Sequence, residues 1–317
     1  MDLKLHPKQG EAFLSEATEI LYGGAAGGGK SHLFRAAAIA WCYDIPGLQV
    51  YLFRRTSPDL FKNHMEGPGG LPALLGKWLE SGIVRINQTK GQISFTQGSR
   101  IHLCHCQYRK DLHNYQGAEI HVLMIDELTQ WPWDMYRFLR GRARLGGLKV
   151  PDRYAGRFPR ILTGANPGGI SHNAVKAAFV DLAPPMAITE MPKAEGGMRR
   201  QYIPARLEDN PTLAENDPDY EARLEGLGHP ALVKAMRHGD WNIVAGGMFD
   251  DVWMAGRHIV RPFEIPPSWR VDRSFDWGSS KPFSIGWWAE SDGSDAALPD
   301  GTRRATRPGD LFRIAEW

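Results

Sequence analysis

Five of the seven residues from Gly23 to Gly29 are glycine, and Lys30-Ser31 follows at once. Glycine in such density forfeits backbone order unless a loop needs left-handed torsions or very close approach of bare backbone. What flanks the loop restricts it further. Glu19-Ile-Leu-Tyr22 is a short apolar run leading in, and HLFRAAAIAWCY leads out with helical spacing at Leu33, Ala36, Ala37 and Ala40. A flexible linker beside a chance Lys-Ser has no need of either flank. Strand, glycine loop and helix together predict a loop whose backbone N–H groups converge on an anion at a helix N-terminus.

Gly24-Ala-Ala-Gly-Gly-Gly29-Lys30-Ser31 fits G-x-x-x-x-G-K-[ST]. On that pattern Gly24, Gly27, Gly28 and Gly29 cradle nucleotide phosphates, and Lys30 reaches the β and γ phosphates. Ser31 is the first Mg²⁺ ligand and His32 the next residue of the binding helix. The metal needs a carboxylate from elsewhere. Val122-Leu-Met-Ile125 is an apolar strand ending in Asp126-Glu127. Asp126 is expected to hold Mg²⁺ and Glu127 to orient and deprotonate the attacking water, a role worth about 10²–10⁴-fold in rate. Together the two motifs predict a Mg-dependent P-loop ATPase. After the next apolar strand, Thr163 and Asn166 lie in LTGANPGG, where a polar loop could couple hydrolysis to movement; an ordinary Asn-Pro-Gly turn is the alternative. Gln9 precedes the first strand and is a candidate to read the adenine edge, against an exposed helix glutamine.

The remaining pattern gives an α/β fold with a mostly parallel sheet. Strands are expected at 19–22, 49–53, 83–86, 92–95, 100–104, 120–125 and 159–163, with a helix over 71–80. Beyond about residue 180, Pro and Gly break the chain into short pieces that include helices over 219–227 and 230–238. The expected division is an ATPase domain over 1–182, a lid or linker subdomain over 183–265, and a third segment over 266–317 opening with strands at 270–275 and 283–288. The polar stretch 291–307 reads as a hairpin loop.

Other classes fall away. Net charge is +2, from 38 basic and 36 acidic residues, so any nucleic-acid contact must come from local patches. Arginines crowd between Arg137 and Arg160, and one of them is a candidate arginine finger. Cys104 and Cys106 flank His105 on a strand, which puts both thiols on one face and predicts core thiols rather than a zinc site. Three cysteines supply no disulfide framework, and no run approaches the ~18 apolar residues of a membrane span. The chain is expected to be soluble and intracellular.

YGGAAGGGKS, LMIDELTQW and LTGANPGG, in that order, resemble the large terminase subunit of tailed bacteriophages and prophages. Similarity continues through Tyr202-Ile-Pro-Ala-Arg206, Asp209-Asn-Pro211 and Gly239-Asp-Trp241 into the segment from Arg273 to Pro282. The resemblance implies an ATP-driven motor that moves double-stranded DNA into procapsids in the host cytoplasm. The implied partners are a portal protein and a small terminase subunit, with a ring oligomer when assembled. It also implies coupling at Thr163 and Asn166, and an RNase H-like nuclease whose first metal-binding aspartate is Asp276. Where many members carry Arg-Gly before the acid-pair strand, this chain has Gln116-Gly117, which leaves the finger to Arg142 or Arg109. The family's further nuclease carboxylates lie well beyond the first, and this sequence stops at Trp317, so an incomplete and inactive nuclease is expected. A helicase or repair ATPase and a non-catalytic assembly fragment are the alternatives.

Overall fold

Apolar runs that stop at a glycine or an acid become the inner strands of one sheet. The computed structural model describes residues 3–243, 255–277 and 283–317. It contains β1 (Glu19–Gly24), β2 (Gln49–Arg54), β3 (Val84–Asn87), β4 (Gln92–Phe95), β5 (Arg100–His105), β6 (Val122–Ile125), β7 (Arg160–Ala165), β8 (Ile188–Glu190) and β9 (Arg199–Ala205). These form a nine-stranded sheet in the order β3-β4-β5-β2-β6-β7-β1-β9-β8. From β5 to β9 every neighbouring pair is parallel. The antiparallel β3–β4 pair borders one side and β8 the other.

α1 (Pro7–Leu14) precedes β1; parallel neighbours need long crossovers, which here carry α2 (Lys30–Asp44), α3 (Ser57–His64), α4 (Leu71–Glu80), α5 (Trp133–Arg140) and α6 (His172–Val175). Helices on both faces explain why β1, β6 and β7 are buried at every position. Side chains alternate between two apolar layers. Ile20, Tyr22, Val122 and Met124 join Leu33, Phe34 and Trp41 on one face, whereas Leu21, Leu123 and Ile125 join Trp131, Met135 and Leu139 on the other.

The sheet extends past residue 182. β9 pairs with β1 along the whole strand, from Glu19 opposite Arg200 to Gly24 opposite Ala205, although its segment was expected to belong to a lid. The reason is electrostatic: β9 reads RRQYIPA, and its polar start hides a buried strand. Arg200 is buried because its guanidinium reaches Glu19 Oε2 at 2.9–3.0 Å. The expected helices beyond it are present as α8 (Tyr220–Glu225) and α9 (Pro230–His238), preceded by α7 (Pro211–Asn216).

The chain divides into two compact units, 1–251 and 252–317. The second contains α10 (Ala255–His258) and an antiparallel sheet of β10 (Arg270–Asp276), β11 (Ser284–Glu290) and a later strand, in that order. The stretch expected as a hairpin loop holds a small hairpin, β12 (Ala296–Ala297) with β13 (Arg303–Arg304), and β14 (Leu311–Glu316) completes the sheet beside β11. Trp269, Ala289 and Ala296 form its core with Phe263, Ile265 and Phe312 packed against them. Of the segment resembling the nuclease start, residues 278–282 lie outside the described residues. Among the described residues no helix is long and apolar enough to cross a membrane.

Candidate nucleotide site

β1 delivers the glycine loop to the N-terminus of α2, as the flanking pattern predicted. Gly23 enters the loop at φ 132° and Gly29 leaves it at φ 77°, conformations that side chains rarely adopt. Space decides the same way. A Cβ on Gly23 would lie 2.6 Å from the Ala165 carbonyl oxygen and 2.8 Å from Lys30 Cδ, and one on Gly29 would collide with Gln9 Nε2. Neighbouring elements fasten the loop from outside. Tyr22 donates its hydroxyl to the Gly28 carbonyl at 2.9 Å, and Asn210 Nδ2 donates to the Gly27 carbonyl at 2.7 Å. Ala25 N–H donates to the Ala205 carbonyl and Ala26 N–H to that of Met236.

Lys30 is buried, and its ammonium donates to the Ala25 carbonyl at 3.1 Å and to Asn166 Oδ1 at 2.5 Å. Burial lowers its pKa, while Glu127 and Asp126 oppose that shift. Gly164 of β7 separates Lys30 from the carboxylates. The place of its missing Cβ is 3.4 Å from Lys30 Cδ and 3.7 Å from Asp126 Oδ1, so the absent side chain lets the two motifs face one another.

Asp126 stands at the end of β6, with its side chain 1% exposed. Its Oδ1 accepts the Glu127 N–H at 3.1 Å. Oδ2 accepts Arg54 Nε at 2.7 Å and lies 3.1 Å from His64 Nε2. Burial alone would raise the Asp126 carboxyl, yet His64 and Arg54 hold it well below the usual carboxylate range, so it stays ionised. Glu127 has the opposite fate: burial and the adjacent Asp126 charge raise its carboxyl against Lys30 and Arg54. Its backbone is left-handed at φ 57°. For a non-glycine residue that conformation costs about 1–2 kcal/mol, and such strain collects at functional sites. A cavity of about 350 Å³ opens onto both acids and is lined by Arg54, Arg55, Asp59, Asp126, Glu127 and Gln130.

The structure therefore brings Lys30, Asp126, Glu127 and Asn166 together at the ends of adjacent parallel strands. Other candidates lie elsewhere. Gln9 is 1% exposed in α1 and holds the loop itself, donating Nε2 to the Gly29 carbonyl at 2.9 Å; it is not the exposed helix residue of the alternative. His32 turns away to the Lys4 carbonyl, and Ser31 sits half-buried on the first turn of α2. Thr163 is fully buried within β7, donating to the Ile20 carbonyl at 2.9 Å, while Asn166 alone of the pair reaches the loop. Arg142 packs over Phe138 and donates to the Gln116 carbonyl; Arg109 makes a two-pronged pair with Asp134; neither lines the cavity. Arg160 is a core residue beneath Trp41. Cys104 and Cys106 are buried in the core. Asp276 ends β10 in the second unit.

Arg54, His64 and Gly164 carry no motif in the sequence. Arg54 ends an apolar strand as Asp126-Glu127 does, a signal that was available; His64 and Gly164 offered none without the strand order.

Residues 21–154 match the family model described as terminase large subunit, T4likevirus-type, N-terminal. No curated protein matches the chain. Among solved structures, the large terminase of a thermophilic bacteriophage in complex with ADP superposes with a TM-score of 0.56 at 16% identity, covering 99% of this chain and 68% of that one. The same terminase with ATP-gamma-S gives 0.54 at 16% identity and the same coverage. The Thermus phage P74-26 large terminase ATPase domain gives 0.51 at 13% identity, over 75% of this chain and 94% of that one. At these identities the likeness is one of fold.

Proposed function

We propose that this chain, whose residues 21–154 match the family model of the terminase large subunit N-terminal region, is the ATP-hydrolysing subunit of a motor that drives double-stranded viral DNA into procapsids. The observation that carries the reading is the convergence of Lys30, Asp126 and Glu127 across Gly164. Gly24, Gly27, Gly28 and Gly29 would cradle the phosphates, with Lys30 giving up Asn166 for the terminal ones. The donor set suits magnesium: an ionised, buried aspartate and a serine hydroxyl at a helix start. Ser31 and Asp126 would hold the ion, which supplies charge neutralisation at the phosphates when bound.

Glu127 is the base. Its left-handed backbone turns it out of line with β6, beside the cavity, and burial with the adjacent Asp126 charge raises its carboxyl, the direction that makes a carboxylate a stronger base. Asn166 would report the state of the phosphates to the loop after β7, because its partner Lys30 is the group that binds them. Arg142 and Arg109 lie off the cavity, so either would act as a finger only on a neighbouring subunit's nucleotide, in a ring. Portal protein and small terminase subunit are the proposed partners, in the host cytoplasm, and Asp276 the first metal ligand of a nuclease unit.

Steady-state ATP turnover with nucleotide binding measured in parallel tests the reading. Glu127→Gln should keep binding and lose about 10²–10⁴-fold in turnover. Unchanged turnover in that variant would remove the assignment. Affinity for double-stranded DNA should fall steeply with salt and vary little with sequence.

A further inference from the structure

Asp126 Oδ2 is engaged from two sides by groups of different character. Arg54 reaches it from the cavity wall, where its side chain is 15% exposed. His64 reaches it from the last turn of α3, and the His64 side chain is wholly buried. The second ring nitrogen of His64, Nδ1, is buried without a hydrogen-bond partner. Leaving such a group unpaired costs about 1–3 kcal/mol. An imidazole that served only to pack α3 would do better as an apolar residue of the same size. Among the described residues its polar contact is the Asp126 carboxylate.

The two donors also respond differently to a cation. A guanidinium at a cavity wall is a full charge on a long stem, which an approaching metal ion repels and can replace. His64 lies behind the carboxylate, wholly buried and outside the lining of that cavity. We propose that His64 is a positioning residue, fixing the Asp126 carboxylate from its buried side for magnesium-nucleotide, while Arg54 is the counter-ion that the metal replaces. The proposal rests on the ATPase reading above.

Binding of a fluorescent ADP to the full chain, titrated with Mg²⁺ and repeated in EDTA, tests it in wild type, His64→Leu, His64→Asn and His64→Gln. The glutamine amide nitrogen reaches the place of Nε2, and that of asparagine the place of Nδ1. In EDTA all four should bind alike, since the phosphate loop is untouched. The Mg²⁺ midpoint should rise on the order of 10–100-fold in the Leu and Asn variants, as for lost outer partners of metal ligands, and stay within about threefold of wild type in Gln. Wild-type midpoints in Leu and Asn, or a Gln variant shifted as far as Leu, would overturn the proposal. Should Leu and Asn not fold, Gln decides alone: a near-wild-type midpoint supports it and a shift of about tenfold sinks it. A wild-type chain that binds no nucleotide in either condition is a different result; it removes the ATPase reading and this proposal with it.

Discussion

Away from the site, the Glu19 carboxylate ties three elements together. It is fully buried at the start of β1 and accepts from the Tyr136 hydroxyl, from Arg140 at 3.3 Å and from Arg200 at 2.9–3.0 Å. Three elements, β1, α5 and β9, thus share one carboxylate. Glu19→Gln keeps the shape and removes the charge, leaving Arg200 buried and uncompensated, so a loss of about 3–5 kcal/mol in unfolding free energy is expected by urea titration. His102 gives a pH-dependent counterpart. Burial, helped by Arg100, lowers its pKa from 6.5 to about 4, so between those values the unfolded chain binds the proton and the folded chain does not. Its contribution is complete above pH 6.5 and is lost as pH falls toward 4. The urea midpoint of wild type should therefore drop more steeply across that window than that of His102→Gln.

At the scale of elements, the glycine loop works because β1, β7 and α2 approach closely. Gly23→Ala would force a Cβ against the Ala165 carbonyl and the Lys30 stem at a φ that alanine resists. Nucleotide affinity should fall by about tenfold or more, 1.4 kcal/mol, in a binding titration. Gly164→Val tests the other side: its side chain would press on Phe34 Cζ, 3.1 Å from the Cβ place, and enter the gap between Lys30 and Asp126, and should lower turnover; wild-type turnover there would show that the gap is not needed. Strands such as β6 and β7 were readable because burial on both faces demands an unbroken apolar run, and α2 because its alanines and leucine repeat at helical spacing. α3 and α5 have no comparable signal in the sequence. They are eight residues each and mix charged with apolar positions, so local pattern competes poorly with turn signals. β9 was missed because Arg200 is apolar in effect only once Glu19 neutralises it.

Across the whole molecule, the two units differ in how much they bury. Strands β1, β6 and β7 are buried throughout, whereas every residue of β10 is exposed and, among the described residues, the second unit's apolar core is built on Trp269, Ala289 and Ala296. Hydrogen exchange should find β10 amides exchanging well before those of β6 and β7, since protection follows local burial. Equal protection would contradict that core inventory. The phosphate loop, the acid pair and the α/β class were legible in the chain alone. Each depends on residues close in sequence, whose backbone freedom or apolar period dictates local structure. What needed the folded chain was who meets whom. Arg54 and His64 reach Asp126 because β2 pairs with β6, and Gly164 parts Lys30 from Asp126 because β7 lies between β1 and β6. Strand order is set by the packing of distant segments against one another, and no local run of residues carries it.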